Sequence, residues 1–72
     1  MHLSELHKIV ERGEFSVAFV ASDGRIVRID RCVCTSFHSK GSTFNVRVLP
    51  SGEIRKIVRI SVVELNGREV IV

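Results

Sequence analysis

The chain has 72 residues, of which 44% are hydrophobic, 26% charged and only 6% aromatic, with no Trp or Tyr. That length allows one domain, 1–72, which buries only about 60% of the surface its unfolded chain exposes. No run of about 18 apolar residues is present, so a membrane-crossing helix is excluded. A basic start followed by an apolar stretch is also missing, so no secretory signal is expected. Two cysteines cannot supply the disulfide framework of a small secreted domain, which points to a reduced, cytoplasmic setting.

The net charge of +3 comes from 11 Lys+Arg against 8 Asp+Glu, unevenly spread. Residues 25–59 hold eight of the basic side chains and only Asp30 and Glu53, a local balance of +6 between two slightly acidic ends. Arg outnumbers Lys six to two in that segment. The planar guanidinium suits bidentate contact with phosphate or carboxylate.

In chain order, the first element predicted is a helix over 1–13. Leu3, Leu6, Ile9 and Val10 recur at three- and four-residue spacing, and Gly13 stops it. Ser4 with His7 three residues on makes no capping box. The remainder, 14–72, reads as three β-hairpins. Residues 15–22 and 25–34 flank Asp23-Gly24, a type I′ turn signal. Such a turn puts Val20 opposite Val27 and Ala18 opposite Ile29 on the expected core face. Phe15, Val17 and Phe19 then fall on the other face and need the helix as cover. After a polar loop at 36–42, residues 43–49 and 53–59 flank Pro50-Ser51-Gly52, which fits a type I turn closed by a glycine bulge. In that register Val48 faces Ile54, Phe44 faces Val58, and Arg47 opposes Arg55. Residues 60–65 and 68–72 flank Asn66-Gly67, a second type I′ signal that pairs Val63 with Val70 and Val62 with Ile71.

The fold class expected is α+β, mainly β: an N-terminal helix, then a small curved antiparallel sheet or SH3-like barrel of five to six strands. The last hairpin is apolar on both faces. An antiparallel sheet usually keeps one face polar. Ile60, Val62, Val63, Val70, Ile71 and Val72 are therefore expected to form a homo-oligomer interface.

Cys32 and Cys34 share one face of a strand. With His38 they offer three zinc ligands where structural zinc takes four, so they are read as small packing residues and no metal or other cofactor is expected. Cys34 with His38 lacks an orienting third group and an oxyanion turn, and no small-molecule cleft is evident. A non-catalytic module is the expectation. Phe37, His38 and Lys40 place a ring, an imidazole and a cation on one loop, as single-stranded nucleic-acid sites do. With Arg28, Arg31, Arg47, Arg55 and Arg59 they are the candidate RNA- or DNA-binding residues. The alternative is a protein-interaction or assembly module, with a sheet edge taking a partner strand.

Two stretches resemble the Sm-like family of small β-barrels. Val20-Ala21-Ser22-Asp23-Gly24-Arg25 is similar to its first hairpin, and Ile60 to Val72, turning at Leu65-Asn66-Gly67, is similar to its second motif. Phe44-Asn45 is similar to the Met-Asn of its third strand. The chain departs from that family in a longer stretch from Arg25 to Asn45 and in Asn-Gly where Arg-Gly is common. The resemblance implies a ring-like oligomer built by strand pairing and RNA contact at the turns, with Asn45 and Asn66 as base-contacting positions.

Overall fold

The computed structural model describes residues 1–37 and 42–71. The chain forms a 3₁₀ turn (Leu3–Glu5), a short helix α1 (Leu6–Val10) and six strands. The strands are β1 (Phe15–Val20), β2 (Ile26–Phe37), β3 (Thr43–Val48), β4 (Ile54–Val58), β5 (Val62–Leu65) and β6 (Arg68–Glu69). A second 3₁₀ turn, Arg59–Ser61, links β4 to β5. The sheet is antiparallel and open, in the order β4-β3-β2-β1-β5-β6. No helix among the described residues is long and apolar enough to cross a membrane.

The helical start is shorter than its apolar spacing predicts, and it does carry a capping box. His2 serves as N-cap: its Nδ1 accepts from the Ser4 amide at 3.1 Å, and the Glu5 carboxylate accepts from the His2 amide at 3.3 Å. Histidine is outside the usual N-cap set, which hid the motif. Leu3, Leu6 and Val10 are buried and join Phe15, Val17 and Phe19 in one core. The helix thus supplies the cover that the phenylalanine face requires.

The first hairpin is shifted by one residue from the predicted register. Val17 pairs with Ile29, Phe19 with Val27 and Val20 with Ile26. The turn explains the shift. Gly24 has φ 88°, while Asp23 is not among the positive-φ residues, so the two-residue I′ turn is not formed. Instead the Gly24 amide donates to the Ala21 carbonyl (2.9 Å) and the Ala21 amide to Arg25 (2.8 Å). That is a three-residue loop, a type I turn with glycine in the left-handed bulge position. A one-residue slip moves every side chain to the opposite face. Phe15, Val17 and Phe19 therefore form the core face with Ile29, while Val20 is 38% exposed.

The second hairpin slips the same way. Phe44 pairs with Ile57, Val46 with Arg55 and Arg47 with Ile54. Gly52 has φ 79°, and its amide reaches back to the Val48 carbonyl at 2.7 Å, lengthening the loop by one residue. The opposed Arg47/Arg55 pair is thereby corrected: the two arginines project from opposite faces of the sheet. The third hairpin keeps its predicted register, with Leu65 on Arg68 and the Val70 amide bonded to the Val63 carbonyl at 2.9 Å. There both turn residues have positive φ, Asn66 at 51° and Gly67 at 78°. Its first strand starts later than predicted, because Arg59–Ser61 turns before β5 begins.

β2 is twelve residues long and serves both halves of the sheet. It pairs with β1 first and β3 later, with register shifts opposite Phe15/Val17 and between Cys34 and Ser36. Each shift places one extra residue on β2, a bulge that bends the strand.

Candidate functional site

The strand registers sort the basic side chains by face. Arg28 and Arg31 on β2, Arg47 on β3 and Lys56 on β4 lie on the outer face, away from the core. Arg55 lies on the inner face beside Val46. Arg59 sits in the 3₁₀ turn and, with Leu3, Leu6, His7 and Phe37, lines a cleft of about 210 Å³. The candidate nucleic-acid residues therefore do not form one surface. His38 and Lys40 lie outside the described residues, as does Val72.

Several of these arginines are already committed. Arg31 holds Glu14 in a two-pronged contact, Nε to Oε1 at 2.6 Å and Nη2 to Oε2 at 3.3 Å. The hydrogen bond that Arg31 donates draws the Glu14 carboxyl below its usual pKa and raises that of the guanidinium. Arg28 reaches Glu64 at 3.3 Å. Both residues pair directly with Ala18 from either side, so the ion pair spans this small residue and leaves it 2% exposed. Arg55 meets Glu53 at 3.6 Å. Arg47 and Lys56 are exposed, and among the described residues neither has a carboxylate in ion-pair range. They sit diagonally across the β3–β4 ladder, since Asn45 opposes Lys56 and Ile54 opposes Arg47.

Phe37 turns partly inward. Its ring lies 5.7 Å from Phe44 and 6.2 Å from the His7 imidazole, with which it stacks. Asn66, a base-contact position by family resemblance, ties its turn to β1: its Oδ1 accepts from the Ser16 amide at 3.0 Å. Asn45 is half-buried on the outer face.

Cys32 is fully buried and Cys34 half-buried, both as free thiols. Burial pushes the Cys32 thiol up to about 11, and Cys34 is raised for the same reason. A raised thiol pKa leaves little thiolate at neutral pH, the opposite of a nucleophile's environment. Among the described residues no cluster of His, Cys, Asp and Glu is arranged to hold a metal ion.

The two long sides of the sheet differ sharply. On the β6 side, residues 1–3 run alongside Ile71 as a parallel bridge. The Leu3 amide donates to the Ile71 carbonyl at 2.7 Å, and the Ile71 amide to the Met1 carbonyl at 2.8 Å. Val62 and Val70, expected at an oligomer interface, are buried inside the chain's own core; Val63 is half-buried, and Ile60 and Ile71 are exposed.

On the other side, β4 pairs among the described residues with β3 alone. Val48 bonds Glu53, and Ser42 accepts from Arg59, which fixes the alternation. Residues 53, 55, 57 and 59 turn their peptide groups toward β3, so Ile54, Lys56 and Val58 turn theirs outward. The side chains of Ile54 and Val58 are 54% and 46% exposed, flanking exposed Lys56. Next to this edge a cleft of about 240 Å³ opens between β4 and the end of β1, lined in part by Val20, Ser22, Lys56 and Val58. Sequence reasoning passed over Lys56 because the slipped register hid its neighbours. The available signal was the Ile-x-Lys-x-Val alternation of a strand with apolar residues on its outer face.

No family model, no curated protein and no solved structure matches the chain.

Proposed function

We propose that the protein is a small non-catalytic binding module, an open SH3-like barrel that takes up an extended segment of a partner protein along β4. The observation carrying this reading is the bare β4 edge, with outward peptide groups at Ile54, Lys56 and Val58, in a sheet whose other side is covered by residues 1–3. Unpaired strand edges template further strands, and strand addition is a recurring mode of peptide recognition. The barrel assignment draws support from the strand order and from the 3₁₀ turn that carries β4 round to β5. The two free thiols fit a reducing, cytoplasmic compartment.

Selection of short random displayed peptides on the immobilised protein tests it. The wild type should enrich sequences with strand-like alternation. Ile54→Pro removes an outward amide without changing any charge, and it should enrich none of them. Enrichment of the same sequences by Ile54→Pro would refute the reading.

A second reading, RNA or DNA binding, is favoured by the outer-face cations Arg28, Arg31, Arg47 and Lys56. Phosphate contact makes affinity fall steeply with salt. On this reading Arg47→Glu abolishes binding of single-stranded oligonucleotides, and Arg55→Glu, on the other face, does not.

A further inference from the structure

We infer that the segment docking on β4 is an extended strand carrying an acidic side chain between two apolar ones, belonging to a different protein. This rests on the strand-addition reading and adds the partner's chemistry.

The rungs come first. Ile54 and Lys56 each offer an outward amide and carbonyl. Val58 offers only its amide, because its carbonyl accepts the Ser61 hydroxyl at 2.6 Å. An antiparallel partner therefore centres on Lys56, exchanging both hydrogen bonds with it. The partner's residues opposite Ile54 and Val58 then point to the same outer face.

The side chains follow from that centring. Ile54 and Val58 are half exposed and gain from apolar neighbours. Lys56 lies between them with no carboxylate in range among the described residues, and Arg47 sits diagonally beside it. An acidic residue opposite Lys56 meets its ammonium group, with the Arg47 guanidinium one strand further on.

A second copy of this chain is a poor occupant. Full overlap of two β4 strands about a two-fold axis sets Lys56 against its own counterpart, and directly opposed like charges destabilise a sheet. The alternative, β4 of one copy on the β6 side of the next, is blocked because residues 1–3 already occupy that side.

The probe is the peptide acetyl-Thr-Val-Thr-Glu-Thr-Val-Thr-amide, with a twin in which Lys replaces the central Glu. Binding is followed by amide chemical shifts of β4 and by titration, with peptide up to millimolar. The Glu peptide should bind the wild type about fivefold or more tighter than its twin, within the range that cross-strand charge pairs allow. With Lys56→Glu the preference should invert. N-methylation of the central Glu amide, which faces β4, should abolish binding, whereas N-methylation of an adjacent Thr should not. Equal binding of both twins, still abolished by methylation at the centre, overturns the acidic partner and leaves strand addition standing. Binding insensitive to the central methyl group, or no β4 shift with either peptide, overturns both. Concentration-dependent dimerisation through β4 of the wild type overturns the exclusion of a second copy.

Discussion

The two sides of this sheet solve one problem in opposite ways. A β-edge presents unpaired amides and carbonyls, and proteins cover such edges or blunt them with charge. On the β6 side the chain covers the edge with its own residues 1–3, anchored by buried Leu3. On the β4 side no strand among the described residues pairs with the outward groups, and a single lysine stands in the middle of the strand. A covered edge is spent on stability. An edge guarded by one charge rejects copies of itself yet stays open to a chain of the opposite sign.

Both sides rest on one core, and the largest expected effect tests that common base. The folded Cys32 thiol is raised from 9.0 to about 11. For a raised pKa, the stabilisation is complete below the unfolded value and disappears as pH climbs through the folded one. Urea melts should therefore lose on the order of 2–3 kcal/mol between pH 8 and 12, most of it absent in Cys32→Val. Amide exchange should speed up on both sides together.

Leu3→Ala breaks the covered side alone. Loss of this buried side chain should cost about 2–3 kcal/mol and speed exchange of the Ile71 amide, with β4 following only as global stability falls. Ile54→Pro probes the bare side. Its amide faces outward, so thermal melts should show less than about 1 kcal/mol lost, in the manner of proline on edge strands. A larger loss would mean that this amide has a partner within the fold. Lys56→Val should change stability least, within about 0.5 kcal/mol, as surface substitutions do. It should still convert a monodisperse sample into one whose light-scattering mass rises with concentration, because the guarding charge is gone.

These edges were only partly legible in the residues. The mainly β composition, the helix, the three hairpins and the register of the last one could all be read directly. Asn66-Gly67 puts both turn residues at positive φ, and that motif admits little else. Asp23-Gly24 and Pro50-Ser51-Gly52 each end in one left-handed glycine, which serves loops of different length equally well. One residue of ambiguity in loop length is enough to exchange the faces. It placed Phe19 outside the core and set Arg47 against Arg55. It also hid Lys56, whose meaning depends on knowing that Ile54 and Val58 share its exposed face. The cover over β6 was out of reach for another reason. It joins residue 2 to residue 71, and no local pattern encodes a pairing that distant.

The two surplus residues in β2 have a consequence for how this sheet tolerates change. They are slack in the one strand shared by both halves, taken up opposite Phe15/Val17 and near Thr35. Deleting Asp30 would draw in the first loop of slack and leave Cys32 opposite Phe15 and Ile29 opposite Val17, so the cysteines keep their inward face. A deletion at Thr35 would likewise leave Phe37 opposite Phe44. Length errors in this strand are thus graded by position: a residue lost at a bulge straightens the strand, and one lost within a regular run exchanges its faces.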